Sequence, residues 1–158
     1  MNRLSTQSLN LTPEQFEAVV EILLREAGAG LSELKVQRLE KIHASDGIYE
    51  IDVTARFEAF GASFLVLIEC KHHKNPIKRE VVQVLRDRLQ AVGAHKGMIF
   101  STAKFQKGAI EYAQAHGIGL VQIVAGMTDF EETRACCVNN LKPLNFNLGW
   151  IERKLKDE

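Results

Sequence analysis

Hydrophobic positions recur along this chain with two periods, and the changes of period mark its elements. Phe16, Val19, Val20, Leu23 and Leu24 repeat at helical spacing. Ahead of them Thr12-Pro13-Glu14-Gln15 predicts the helix start, with Thr12 as N-cap, proline at the first helical position and Gln15 closing a capping box; Gly28 and Gly30 end the element. Leu34 to Leu39 reads as a first strand, and Asp46-Gly47 as the turn into a second. Period two puts Tyr49, Ile51, Val53, Ala55 and Phe57 on one face of that second strand and Glu50, Asp52, Thr54 and Arg56 on the other. Across a connection spanning Glu58 to Ser63, the apolar run Phe64-Leu65-Val66-Leu67-Ile68 leads into Glu69-Cys70-Lys71 as the third strand.

Asn75-Pro76 predicts a second helix start, with Val81, Val82, Leu85, Leu89 and Val92 as the buried stripe and Gly93 as the stop. Lys96 to Ser101 reads as a buried strand, Ala109 to His116 as a short helix and Ile118 to Val124 as a further strand. Thr128-Asp129-Phe130-Glu131 predicts the cap of a helix running through Cys137. The order αβββαβαβ predicts an α/β fold, a mixed β-sheet flanked by helices that is antiparallel at its start and continues through crossover units. Residues 1–10 are expected to be a flexible N-terminus, 11–125 the main folded domain and 126–158 a C-terminal extension packing on it.

A chain of 158 residues with 46% hydrophobic and 25% charged positions suits one globular core. Its apolar runs fall far short of the ~20 residues that span a bilayer. The first residues lack the apolar centre of a signal peptide, so the expectation is a cytoplasmic protein with no membrane contact. Cys70, Cys136 and Cys137 give an odd count with two adjacent, against a disulfide framework, and no Cys-x-x-Cys or His-x-x-x-His spacing suggests structural zinc. Twenty basic and twenty acidic residues cancel overall, yet between Glu69 and Lys107 nine basic residues face three acidic ones. A local basic surface of that kind can hold a phosphate backbone on a neutral protein.

Candidate chemistry sits beside that surface. Glu-x-Lys occurs at Glu33, Glu69 and Glu152, and only the copy at Glu69 ends a run of five apolar residues after a strand with its own carboxylates. Glu69 and Lys71 share a face while Cys70 points away as a small hydrophobe. If the two strands pair as a hairpin, Asp52, Glu69 and Lys71 converge at one sheet edge, a site for a hard cation beside an ammonium group. Glu17 lies at the rim of the first helix's apolar stripe; Gln83 lies away from the second helix's stripe, on the side of Arg86, Asp87 and Gln90.

Asp52, the Glu69-Cys70-Lys71 tripeptide and the helix-strand order together resemble the PD-(D/E)XK nuclease superfamily. More narrowly they resemble the catalytic domain of Mrr-type restriction endonucleases, with archaeal Holliday-junction resolvases as neighbours. The likeness runs from about Leu11 to Val124 and includes Phe16-Glu17, Ile68-Glu69-Cys70-Lys71 and Gly93 to Thr102, followed by Phe105 and Ala109 to Ala113. The resemblance implies a restriction-endonuclease-like fold and a Mg2+-dependent endodeoxyribonuclease, with Mn2+ as substitute and no small-molecule cofactor. It implies Asp52 and Glu69 as metal-binding carboxylates, the Cys70 carbonyl as a third ligand and Lys71 as the lysine that positions or activates water. Glu17 matches a helix-one acid that supports the metal, and Gln83 a helix glutamine near the site. Lys74, Lys78, Arg79 and Lys104 are the expected DNA contacts. The family's Asp-Gly-Gly-Ile-Asp is here the longer Asp46-Gly47-Ile48-Tyr49-Glu50-Ile51-Asp52, which leaves Asp46 and Glu50 as alternatives for the first carboxylate. A homodimer that cuts both strands is the expected assembly, with Trp150 and Ile151 as candidate contacts. The alternative is a catalytically inactive DNA-binding or assembly module that keeps the nuclease fold.

Overall fold

A computed structural model describes residues 11–124, 134–137 and 144–145. The helix α1 (Pro13–Ala27) begins as its sequence dictates: Thr12 accepts from the Gln15 amide at 3.2 Å while the Gln15 side chain accepts from the Thr12 amide at 2.9 Å. Then follow β1 (Ser32–Ala44), β2 (Gly47–Ala59), β3 (Ala62–Lys71), α2 (Arg79–Val92), β4 (Lys96–Ser101), α3 (Lys107–Ala115), β5 (Gly119–Val124), β6 (Arg134–Cys137) and β7 (Leu144–Asn145). The strands form one sheet in chain order, antiparallel from β1 to β3, parallel from β3 to β5 and antiparallel again to β7. The expected mixed sheet flanked by helices is therefore present.

Two apolar layers cover the sheet. Phe16, Val19, Val20 and Leu23 of α1 pack on Val53, Ala55, Ile68, Phe100, Val121 and Ile123, while Val82 and Leu85 of α2 and Ala109 and Ala113 of α3 pack on Leu67, Ile99 and Leu120. Strands β3 to β5 are thus buried on both faces, which is why they read as continuous apolar runs. The β2–β3 connection is tighter than expected, since pairing continues to Ala59↔Ala62. Phe60 (φ 54°) and Gly61 (φ 73°) form the two-residue turn, and two positive φ values are what a type I′ hairpin requires.

Three expectations are corrected. Asn75 and Pro76 do not start α2; they lie in a loop, and the helix begins at Arg79 after Lys78. The cause is Ile77, held extended by its amide's bond to the Lys104 carbonyl (2.8 Å) and its carbonyl's bond from the Gln106 amide (2.9 Å). Arg134–Cys137 is a strand on β5 instead of the end of a helix, giving β5 a partner for backbone groups an edge would leave open. The even alternation along β2 also fails: Val53 and Ala55 pack on the α1 side, but Ile51 packs on the α2 side. The strand changes face at Asp52, where pairing with β3 has ended after Val53↔Ile68. Across from it in β1, between the pairs Arg38↔Val53 and Glu40↔Ile51, Leu39 has φ 52°.

The expected flexible segment 1–10, the residues expected to cap a helix through Cys137 (128–131) and the candidate contacts Trp150 and Ile151 lie outside the described residues. Among the described residues no helix is long and apolar enough to cross a membrane.

Gly97 of β4 lets α2 approach the sheet closely, because a Cβ there would lie 2.8 Å from Leu89 Cδ1 and 3.1 Å from Leu85 Cδ2. Gly97→Ala should lower unfolding stability by about 1–3 kcal/mol through overpacking, read as a reduced urea midpoint at unchanged slope. An unchanged midpoint would show that α2 is not seated on this glycine.

Candidate active site where two strands part

Beyond Val53 the backbone of β2 no longer pairs with β3, and the Cys70 amide takes another partner. It donates to Asp52 Oδ2 at 2.8 Å. The side chain of Asp52 thus stands where a ladder carbonyl would be, and this fixes it next to Glu69 and Lys71. Glu69 is 9% exposed, at the last buried position of β3 on the α2 side. Its two oxygens are held separately: Oε1 by Lys71 Nζ at 2.7 Å, Oε2 by Arg88 Nη1 at 3.1 Å. Cys70 packs against the α1 core as expected, and burial pushes its thiol pKa up, so it is a neutral thiol.

The charges conflict. Burial raises the Asp52 carboxyl above its ordinary value; the Cys70 amide opposes this, the Glu69 charge adds to it, and Lys71 and Arg88 oppose it. Glu17, half-buried on α1, is raised first by burial and then by the Asp52 charge. Asp52 of β2 is therefore pressed by Glu69 of β3 and itself presses on Glu17 of α1. An all-oxygen set with surplus negative charge matches a hard divalent cation that keeps several waters, for which two carboxylates and a backbone carbonyl suffice. As the side chains stand, no three His, Cys, Asp or Glu among the described residues form a ready cation cage. Glu69 is instead engaged by Lys71 and Arg88.

Asp46 and Glu50, the alternatives for the first carboxylate, stand elsewhere. Asp46 accepts from the Tyr49 hydroxyl at 2.9 Å at the hairpin end, and the exposed Glu50 lies 4.0 Å from Lys41 across the β1–β2 ribbon. Gln83 is exposed on α2, away from Val82 and Leu85. The side chain that α2 does bring to Glu69 is Arg88, which sequence reasoning counted only as part of a basic run. Its signal was its place three residues after the buried Leu85, at the rim of the helix's apolar stripe.

Lys74, Lys78 and Lys104 are exposed on the two loops that leave β3 and β4, and Arg79 is exposed at the first position of α2. The Ile77–Phe105 bridge, with bonds from the Thr102 amide to the Lys71 carbonyl (3.1 Å) and from the Thr102 hydroxyl to the His73 carbonyl (3.2 Å), zips these loops together at the end of β3. Arg79 lies over the Tyr112 ring at 4.9 Å. His72 meets the Phe16 ring edge-on at 5.7 Å, and its buried Nε2 has no hydrogen-bond partner among the described residues.

The family model for the Mrr catalytic domain, described as restriction endonuclease, matches residues 8–125. The chain belongs to this restriction endonuclease family. Among solved structures, the crystal structure of AF1548, a protein of unknown function, is 27% identical with a TM-score of 0.57, covering 69% of this chain and 57% of its own. The DNA modification-dependent restriction endonuclease AspBHI is 19% identical (TM-score 0.45), covering 76% of this chain and 35% of its own. The MspJI restriction endonuclease in complex with a 27-mer oligonucleotide is 18% identical (TM-score 0.47), covering 69% and 25%. This chain thus spans well under two thirds of each of these proteins. No curated protein sequence matches it. As a member of the Mrr catalytic-domain family, the chain has a nuclease fold, and in this chain Asp52, Glu69, Lys71 and Arg88 meet where β2 parts from β3.

The raised carboxyl of Asp52 has a definite sign in stability. Above its ordinary pKa of 3.8, the unfolded chain has released a proton that the folded protein still holds. Stability therefore falls as pH rises through that window, and the full penalty stands above the folded pKa. Asp52→Asn keeps an oxygen for the Cys70 amide and removes the charge. Without divalent ions it should be more stable than the parent at pH 7, with the advantage fading as pH falls toward 3.8; no advantage at pH 7 in denaturant titrations would contradict the account.

Proposed function

We propose that this protein is a divalent-cation-dependent endonuclease that hydrolyses DNA phosphodiester bonds. The observation that carries the reading is the meeting of Asp52, Glu69 and Lys71 where β2 leaves β3, next to the zipped loops with Lys74, Lys78 and Lys104 and to Arg79 at the start of α2. Asp52, Glu69 and the Cys70 carbonyl would hold Mg2+, for which Mn2+ substitutes, with Glu17 supporting them from α1. Such an ion, when bound, polarises the scissile phosphate and offsets charge that builds on it. Lys71, oriented by Glu69, presents a compact ammonium group that orients the attacking water and steadies the phosphate. The water oxygen bonds to phosphorus and the bond from phosphorus to the leaving sugar oxygen breaks. One water proton is released, and the leaving oxygen takes one up.

The exposed lysines and Arg79 neutralise the flanking phosphates, so binding weakens as salt rises. One site per chain cuts one strand, which makes a homodimer the proposed assembly for a double-strand break. Cellular DNA as substrate fits a cytoplasmic enzyme.

A second reading has one observation in its favour. Both Glu69 oxygens already carry a cationic side chain and no ready cation cage exists among the described residues, as in a DNA-binding module that has lost catalysis. Calorimetry separates the two, because the module would retain DNA while binding neither Mg2+ nor Mn2+.

Plasmid and branched DNA should be cut with Mg2+ or Mn2+. Asp52→Ala, Glu69→Ala and Lys71→Ala should each lower the rate by about 100-fold or more, the usual loss when one preorganised charge is removed. Activity that survives all three substitutions would refute the assignment.

A further inference from the structure

Glu69 presents a puzzle that the proposed function leaves open. Each of its oxygens accepts from a cationic side chain, so a divalent ion that binds there competes with both cations for the carboxylate. Lys71 is poorly placed to yield. It stands two residues from Glu69 on the same face of the same strand, is 24% exposed and makes the shorter contact, 2.7 Å. Arg88 differs in each respect. It reaches across from α2, makes the longer contact of 3.1 Å, and its side chain is 30% exposed, with solvent to move into. Among the described residues Glu69 is the only carboxylate Arg88 pairs with.

The helix beneath it is fixed. Val82 and Leu85 are buried, and Gly97 brings β4 against Leu85 and Leu89. The stem of Arg88 can therefore swing while its Cα stays in place. Its charge acts on Asp52 as well as on Glu69, the two carboxylates expected to share an ion.

We propose that Arg88 is a placeholder for the divalent cation: it neutralises Glu69 in the metal-free protein, yields Glu69 Oε2 when the ion enters, and then turns its guanidinium to the phosphate being cut. This rests on the endonuclease reading above and adds a residue to it. A guanidinium suits both tasks, because its planar fork of donors matches a carboxylate and two phosphate oxygens equally well. Arg88 keeps a buried carboxylate paired while no metal is present, when an unpaired charge would be costly. Once displaced, it stays within a side chain's reach of the reacting group.

The test reads metal binding apart from catalysis. Mn2+ affinity is measured without DNA, by calorimetry or by electron paramagnetic resonance, on the parent, Arg88→Ala, Arg88→Lys and Asp52→Asn. Single-turnover cleavage is then measured at saturating Mn2+. Arg88→Ala should bind Mn2+ about three- to tenfold more tightly, the size expected on removing a partly exposed competing pair. It should nonetheless cleave about 10- to 100-fold more slowly. Arg88→Lys retains a charge to compete with the ion but not the fork, so its Mn2+ affinity should stay near the parent's while cleavage remains slow. A residue that merely braced the fold would weaken both properties together. Arg88→Ala that binds Mn2+ no more tightly than the parent, or either variant cleaving at the parental rate, overturns the proposal. Loss of Mn2+ binding in Asp52→Asn upholds the site itself however Arg88 behaves, and a parent protein that binds no Mn2+ overturns both.

Discussion

The bond from the Cys70 amide to the Asp52 carboxylate is the constraint from which the rest of the site follows. A buried amide must find an acceptor, and at this point β2 has stopped offering its backbone. A side-chain carboxylate in that place ends the ladder, locates Asp52 next to the last residues of β3 and lets β2 turn so that Ile51 and Val53 serve opposite layers of the core. Period two along β3 then does the remainder. Glu69 and Lys71 face α2, while Cys70 is packed on the other side as a neutral thiol.

What this arrangement gains in position it loses in electrostatic ease. Asp52 and Glu17 both hold their protons more tightly than usual, because burial and neighbouring negative charge act in the same direction. Lys71 and Arg88 relieve Glu69, and the Cys70 amide relieves Asp52, but the Asp52 charge still acts on Glu17. Charges incompletely balanced by a site's own side chains cost stability, as functional sites commonly do. The loops that follow β3 and β4 extend the same logic outward. Their mutual backbone bonds bring exposed lysines to the open end of the strands, where a polyanion can lie over the acids.

Much of this was legible in the residues because it depends on local rules. The capping box at Thr12 and Gln15, the two-sided burial of β3 to β5 and the shared face of Glu69 and Lys71 each follow from spacing alone. The failures have a common cause in contacts between segments distant in sequence. Asn75-Pro76 carries a good helix-start signal, yet Ile77 is held extended by residues nearly thirty positions later. Even alternation is the expectation through Asp52, but β2 parts from β3 there and Ile51 and Val53 serve opposite layers. Arg134–Cys137 is too short for periodicity to tell strand from helix. Arg88 could be placed on a helix rim but not aimed, since its partner is set by how closely α2 sits on β4.

The most direct measurement is the anomalous scattering of a crystal soaked in Mn2+. The account predicts one peak within about 2.0–2.4 Å of a carboxylate oxygen of both Asp52 and Glu69, with Arg88 withdrawn from Glu69. A peak bound by Asp46 or Glu50, or none at the parting of β2 and β3, would contradict it.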